Sequence, residues 1–218
     1  MLALTVLSSP LVMADPVTNT VERANDRSQI AAGKVGGVDA RRDVDRLSDL
    51  IMIWDEYRLA GKVIAQKDTE RMIAEELRRD LQETSIKEDQ ADREVAQSSR
   101  EVRSSKREKR YEPGHRRDDR RDLRDDRRDR RDDVRDEAMM DQLLKEKTAI
   151  SKDLRQLQQQ IDSKKIGEKE AEAKMLTLFN QYLELSRQEV ALGIRELRED
   201  QREIREDRRE TREDIRRN

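Results

Sequence analysis

The chain of 218 residues has no cysteine, three prolines, one tryptophan and one phenylalanine. The absence of cysteine excludes a disulfide framework, a thiol nucleophile and thiolate ligands for a metal. Because aromatic residues make up only 2% of the chain, few large apolar side chains exist to build a core. No stretch shows the alternation of β-branched and aromatic residues that strands need, so a strand-based fold is not predicted.

Charged residues are what the sequence has in abundance. They make up 45% of the chain, and 48 basic residues nearly balance 50 acidic ones. Long runs of Glu, Arg, Lys, Asp and Gln are typical of long helices, and near-neutrality removes the net repulsion that favours disorder. A nucleic-acid partner would need a basic face. We therefore expect an all-α protein that binds no nucleic acid.

Residues 1–14 form an apolar run that is too short to cross a bilayer as a helix. The run ends in a Val-Met-Ala sequence before Asp15, which is the pattern of a signal-peptidase site, although a positively charged start is missing. We interpret it as a shortened signal peptide. The mature protein is then expected to be periplasmic or secreted, without a transmembrane span, and to begin with a flexible leader over residues 15–40.

Residues 41–112 are predicted to form a helical hairpin with a long, charged second arm. A short amphipathic helix ends near Gly61, and either Asp68 or Thr69 is expected to cap the next helix. A Pro-Gly pair ends that arm, because proline removes a backbone donor and glycine relaxes the backbone. Residues 113–115 are therefore predicted to be a hinge.

Residues 116–218 are predicted to form a longer antiparallel helical hairpin, or coiled coil, with its turn near Gly167. Apolar residues on both sides of this glycine recur every three or four positions, as on one helix face, and Lys147 falls on the same stripe. The stripes match in length when position 154 faces position 180, and Gly167 is expected to take a left-handed cap conformation. The predicted hairpin core consists of Met140, Leu143, Ile150, Leu154, Leu157, Ile161, Leu176, Phe179, Leu183, Val190 and Ile194.

The segment 116–136 consists almost entirely of Arg and Asp. Many of its i,i+4 pairs carry like charges, for example Asp122/Asp126 and Arg124/Arg128. Aspartate is also a poor residue for a helix interior. We therefore expect this segment to be a marginal helix alone and to need a partner with complementary charge.

Residues 195–215 contain three copies of the seven-residue unit Arg-Glu-X-Arg-Glu-Asp-X. This spacing predicts a weak coiled-coil seam. The tail either folds back along the segment 116–136 in a monomer, which effective concentration favours, or pairs in parallel in a weak homodimer. The predicted seam residues are Leu197, Gln201, Ile204, Arg208, Thr211 and Ile215.

No group of residues in the sequence predicts catalysis, a cofactor or a metal site. His115, the single histidine, stands beside the Pro-Gly pair and is expected to be an exposed loop residue. Nickel, copper or zinc would need further nitrogen or sulfur ligands, and the Asp-rich stretches lack the spacing of an EF-hand. We expect no catalytic, cofactor-binding or metal-binding residue, and no enzyme.

The composition favours a non-enzymatic, exported coiled-coil protein that presents charged helical surfaces to a protein partner, to an envelope component or to a second copy. In class, the chain resembles the small periplasmic stress chaperones and metal-resistance accessory proteins of the Spy/CpxP type, which are exported, helical and charged. The LTxxQ motif usual in that group is absent. The resemblance implies an alternative function as a stress chaperone or a metal-responsive accessory protein. A concave, partly apolar helical surface would favour that alternative.

A synthetic peptide that spans residues 116–136 is expected to be largely non-helical in isolation, because most of its i,i+4 charge pairs are like-signed. Circular dichroism at low salt measures its helix content. The matched control is a peptide of the same composition, reordered so that every i,i+4 pair joins Arg to Asp; it should be more helical. Equal and high helicity of the two peptides would show that charge register does not control this segment.

Overall fold

A computed structural model describes residues 40–111 and 118–217 of the chain. These residues are helical apart from two short turns, and no strand occurs among them. The all-α fold class predicted from the sequence is thus confirmed. The helices are α1 over residues 40–59, α2 over Val63–Tyr111, α3 over Asp118–Asp162 and α4 over Glu168–Arg217.

The described residues up to Gly193 form one compact unit, and the remainder of α4 belongs to a second unit. In that second unit Leu197 and Gln201 are half-buried. The side chains of the other predicted seam residues lie outside the described part of the chain; they are Ile204, Arg208, Thr211 and Ile215. The choice between a folded-back tail and a parallel dimer therefore stays a prediction.

Within the compact unit, α2 and α4 run parallel to each other. Near the start of both helices, the side-chain amide of Gln66 donates a hydrogen bond of 2.9 Å to Glu172. Further along, the hydroxyl of Tyr182 donates a hydrogen bond of 3.1 Å to the carbonyl oxygen of Leu77. Residue numbers therefore increase in the same direction along the two helices, as they do only when helices are parallel.

Helix α3 runs antiparallel to both neighbours. Its Lys147 Nζ lies 2.7 Å from a carboxylate oxygen of Asp80 on α2 and also bonds the carboxylate of Glu189 on α4. The pairing of Lys147 with Glu189 is close to the register that the matched apolar stripes predict. The α3–α4 hairpin is present, and α2 lies along it as a third long helix.

The Arg/Asp-rich segment is helical from Asp118 onward. Its described side chains bond small polar side chains on α2. The hydroxyl of Ser105 donates to the carboxylate of Asp126, and Arg130 Nε donates a hydrogen bond of 2.9 Å to the hydroxyl of Ser99. Both helices that flank the predicted hinge thus belong to one compact unit; the hinge itself lies outside the described residues.

A Schellman cap ends α1. The N–H of Lys62 donates to the carbonyl oxygen of Tyr57 at 2.9 Å, and the N–H of Gly61 donates to that of Arg58 at 3.2 Å. This pattern needs a left-handed residue, and Gly61 supplies it with a φ of 65°. Glycine carries no β carbon and adopts this conformation without steric cost.

The start of α2 differs from the prediction. The helix begins at Val63, directly after the cap, and not at Asp68 or Thr69. The carbonyl oxygen of Lys62 already accepts the N–H of Gln66 at 2.9 Å. Helix α2 therefore starts directly after the turn, without a side-chain cap. The predicted capping residues, Asp68 and Thr69, lie inside α2.

The turn between α3 and α4 is also a Schellman cap, but Gly167 is not its left-handed residue. That conformation belongs to Lys164, whose φ is 54°. The N–H of Lys165 donates to the carbonyl oxygen of Gln160, and the N–H of Lys164 donates to that of Ile161, both at 2.9 Å. The prediction for Gly167 was wrong because α3 ends before it reaches the glycine.

Gly167 instead starts α4. Its carbonyl oxygen accepts the N–H of Ala171 at 2.9 Å, which is the first bond of the helix. This is the N-cap position, where glycine is well tolerated. The glycine thus lies in the turn between the arms, as predicted, but it is the N-cap of α4 and not the C-terminal cap of α3.

The core of the compact unit draws on all four helices. Trp54 of α1 meets Phe179 of α4 edge to face, with ring centroids 5.5 Å apart and planes at 89°. Such a pair is favourable beyond the apolar area it buries. The buried residues of this core are Leu47, Leu50, Ile51, Trp54, Ile73, Leu77, Leu157, Ala171, Met175, Phe179, Tyr182 and Leu183.

The predicted hairpin core divides into two groups by burial. The buried group consists of Met140, Leu143, Leu157, Phe179 and Leu183. The half-buried group consists of Ile150, Leu154, Ile161, Leu176, Val190 and Ile194. A second, smaller cluster is centred on Leu143, Leu185 and Leu192.

Replacing Lys164 by glycine is expected to stabilise the protein. A left-handed non-glycine residue costs about 1–2 kcal/mol, and the added freedom of glycine in the unfolded chain costs about 0.5–1 kcal/mol. The free energy of unfolding, measured with urea, should rise by roughly 0.5–1 kcal/mol. The control is Lys165→Gly, at a neighbour whose φ is not positive; it should destabilise. Equal effects of the two substitutions would contradict the assigned cap.

Candidate functional site

A groove of about 810 Å³ lies between α2, α3 and α4. It is lined by α2 over residues 63–81, by α3 over residues 151–162 and by α4 over residues 168–179. Helices α2 and α4 begin at this end of the compact unit and α3 ends there, so the groove lies beside the two turns. Its apolar floor consists of Leu77, Leu81, Leu154, Ile161, Met175 and Phe179.

Small side chains keep the groove open. Ala74 of α2 and Ala171 of α4 both line it, and neither fills the space above the larger apolar residues. Leu154 and Ile161 remain half-buried for this reason. Both were predicted as hairpin core; in the structure they pack against the core and also form part of the groove floor.

Charged residues of both signs surround the apolar floor. Burial raises the pKa of the Glu70 carboxyl, and the nearby ammonium of Lys67 acts in the opposite direction. Gln66 and Glu172 bridge the groove by their hydrogen bond. The charged lining residues are Lys67, Glu70, Arg71, Arg78, Arg155, Asp162, Glu168 and Glu172.

The groove is followed, further along the bundle, by a buried ionic layer. The side chain of Lys147 is 0% exposed. Its ammonium group donates to Asp80 at 2.7 Å, to the hydroxyl of Thr84 at 3.1 Å and to the carboxylate of Glu189. These partners occupy all three N–H groups of the lysine. The ammonium is therefore suited to joining helices and not to nucleophilic attack.

Glu189 is saturated in the same way. Lys87 Nζ donates to one carboxylate oxygen at 2.5 Å, and the hydroxyl of Thr84 donates to the other at 2.8 Å. Burial acts to raise the pKa of Glu189, but the ammonium groups of Lys147 and Lys87 outweigh burial and lower it. With Asp80 included, two cations face two anions, so the layer carries no net charge.

Tyr182 closes the layer on the side of the groove. Lys147 Nζ lies 5.4 Å from the centroid of its ring, which is a cation–π geometry. Its hydroxyl donates to the carbonyl oxygen of Leu77. Burial, followed by the charge of Asp80, raises the pKa of Tyr182. The phenol is therefore neutral and acts as a hydrogen-bond donor.

Sequence reasoning placed Lys147 on the apolar stripe but did not single out its partners. Asp80 and Thr84 of α2 and Glu189 of α4 were missed. A usable signal exists in α4, where Glu189 stands between the buried Leu185 and Leu192 at helical spacing. A charged residue at a core position of one helix, such as Lys147, predicts an oppositely charged residue at a core position of a neighbouring helix.

Other predicted sites are not located by the structure. His115 lies outside the described residues. Within residues 40–111 and 118–217, no group of three or more His, Asp and Glu residues is arranged to hold a metal ion. None of the described helices combines the length and the apolar character needed to cross a membrane.

Replacing Lys147 by methionine is expected to destabilise the protein by about 3–5 kcal/mol, because it leaves buried carboxylates without their cation. Urea unfolding followed by circular dichroism measures the loss. The control is Lys145→Met, which removes an exposed lysine from the same helix and should leave the free energy of unfolding unchanged within error.

The pH dependence tests the same layer. Since the pKa of Glu189 is lowered below its ordinary value of 4.5, its stabilising effect is present above that value and is lost as the pH falls through the folded-state pKa. Glu189→Gln should therefore flatten the loss of stability below about pH 4.5. The ionic layer would be contradicted if Glu189→Gln left the loss of stability at acid pH unchanged and Lys147→Met left the free energy of unfolding unchanged.

Comparison of the chain with known proteins identifies no family. No protein-family model matches the chain. No curated protein and no solved structure matches it either.

Proposed function

We propose that this protein is a non-enzymatic interaction protein that presents charged helical surfaces to a protein partner or an envelope component. The supporting observation is the groove, in which an apolar floor is surrounded by charged groups of both signs. Protein–protein interfaces share this anatomy, with an apolar centre and a polar rim. The export pattern at residues 1–14 supports a periplasmic or secreted location within the same proposal.

The groove suits a helical segment of the partner that carries an apolar stripe. Its α2 wall, residues 63–81, corresponds to roughly 27 Å at about 1.5 Å per residue. A partner helix can place apolar anchors at i, i+3 or i+4 and i+7 over that length. Its flanking charges would meet the charges of the rim, where oppositely charged pairs select among partners.

The ionic layer supports this use of the groove. Lys147 joins α3 to α2 and α4 beside the apolar floor, so the three walls are held in fixed register. A binding surface that is already formed before the partner arrives loses less conformational entropy on binding. This pre-organisation would account for a costly buried lysine next to an open apolar surface.

The alternative is a stress chaperone that holds unfolded client proteins. One observation favours it: the groove is concave and partly apolar, and Met175 in its floor has an adaptable side chain. Such a surface can accept many apolar sequences. The two functions differ in selectivity, since an interaction protein binds one helical face and a chaperone binds any exposed apolar segment.

Substituting Ala74 by arginine is expected to block the groove without disturbing the fold, because Ala74 is exposed and lines it. A fluorescent amphipathic peptide, with leucine every third or fourth position and Lys and Glu elsewhere, serves as the probe. Fluorescence anisotropy should show at least tenfold weaker binding by Ala74→Arg. The control is Ala149→Arg, the same change at an exposed α3 position outside the groove, and should bind like the unmodified protein.

Aggregation of reduced α-lactalbumin separates the two functions. A chaperone would suppress this aggregation, and Ala74→Arg would lose the effect while Ala149→Arg keeps it. A selective interaction protein would bind the helical peptide and leave the aggregation unchanged. If the unmodified protein neither binds the peptide nor suppresses aggregation, both functions assigned to the groove are wrong.

A further inference from the structure

The two turns at the end of the compact unit form a surface that we call the tip, defined as residues 59–67 and 163–167. They lie at the same end because α2 and α4 run parallel and start there. The tip exposes large aliphatic side chains: Leu59 is 72% exposed, Ile64 is 81% exposed and Val63 is 48% exposed. Single exposed aliphatic residues are ordinary, but three within six positions form a patch that needs an explanation.

The tip is also basic. Its exposed lysines are Lys62, Lys67, Lys164 and Lys165, and it contains no acidic residue. In a chain whose 50 acidic residues outnumber its 48 basic ones, four lysines without one acidic residue are a local excess. One of these lysines, Lys164, has a left-handed backbone conformation. This conformation is costly for any residue other than glycine.

Acidic residues adjoin the tip, and two of them have partners of their own. Asp68 pairs with Arg71 at 3.3 Å, and Asp162 accepts a hydrogen bond of 3.0 Å from Gln158. Glu168 lies in the first turn of α4, where the helix dipole favours a negative charge. These three carboxylates stay exposed, but the four lysines of the turns outnumber them, so this end of the compact unit keeps a net positive charge.

Two occupants fit the tip less well than a lipid surface. A second copy of the chain would bring four lysines against four lysines. A folded protein partner usually meets aromatic anchors in an interface, and the tip residues include no aromatic side chain. Exposed aliphatic groups flanked by lysines instead match the interfacial region of a bilayer, where apolar groups enter and ammonium groups stay at the headgroups.

We propose that the tip docks the protein onto the surface of an anionic lipid bilayer. Leu59, Val63 and Ile64 would enter the boundary between headgroups and acyl chains, and the lysines would bind lipid phosphates. This goes beyond the proposed function, because it rests on Leu59, Ile64, Lys164 and Lys165, which do not line the groove, although Val63 and Lys67 adjoin both surfaces. Binding is expected to be reversible and sensitive to salt, since the attraction of lysines to anionic lipids is screened.

Co-sedimentation of the full chain with large unilamellar vesicles tests this docking. The protein should bind vesicles of phosphatidylcholine and phosphatidylglycerol in equal parts, and bind pure phosphatidylcholine vesicles much more weakly. Raising the salt to about 1 M should release it, since the Debye length falls to about 3 Å. Equal binding to both vesicle types, or no binding to either, would overturn the proposal.

Variants locate the binding surface. Lys164→Gln with Lys165→Gln should weaken binding on the order of tenfold, from the contribution of each lysine near an anionic surface, and Leu59→Ser with Ile64→Ser should weaken binding at low salt although every lysine remains. Lys145→Gln with Lys152→Gln, at exposed α3 positions away from the turns, serves as the matched control and should bind normally.

Two further readouts separate this proposal from the groove. Every tip variant should keep its helix content by circular dichroism and its affinity for the amphipathic peptide. Vesicle binding that persists in both tip variants would overturn the proposal even if the groove binds peptide as expected. A loss of peptide binding in Ala74→Arg, conversely, should leave the preference for anionic vesicles intact.

Discussion

The ammonium group of Lys147 joins α3 to Asp80 of α2 and to Glu189 of α4, and the arrangement of the long helices depends on this contact. A buried charge is costly unless it is paired and hydrogen-bonded. Sliding one helix by a turn would separate the lysine from its carboxylates. We infer that the ionic layer fixes the helix register, because only one register pairs the lysine with both carboxylates.

The groove is a consequence of that fixed register. Ala74 of α2 and Ala171 of α4 line it with small side chains. Leu154 and Ile161 pack against the core and, being only half-buried, also face the groove. Stability at this end comes from α1, whose Trp54 packs against Phe179 of α4. The short helix thus supports the bundle while the groove stays open.

Backbone geometry at the turns shapes the tip, the second surface to which we assign a function. A Schellman cap needs one left-handed residue, which is Gly61 in one turn and Lys164 in the other. Both turns are short, and within residues 40–111 and 118–217 no element covers Leu59 and Ile64, which stay exposed. The groove and the tip adjoin on one compact unit, and Val63 and Lys67 belong to both; in our proposals the groove binds by shape and apolar contact and the tip binds largely by charge.

Composition and periodicity determined the fold class, because three- and four-residue apolar steps with few prolines admit long helices and no strands. They also determined the antiparallel α3–α4 pairing, through stripes of matching length around Gly167. Tertiary structure alone decided that α2 joins them as a third long helix, and that Leu154 lines a groove. The reason is physical: periodicity reports which face of a helix is apolar, whereas the neighbour that covers it is chosen by contacts between residues distant in sequence, such as Lys147 and Asp80.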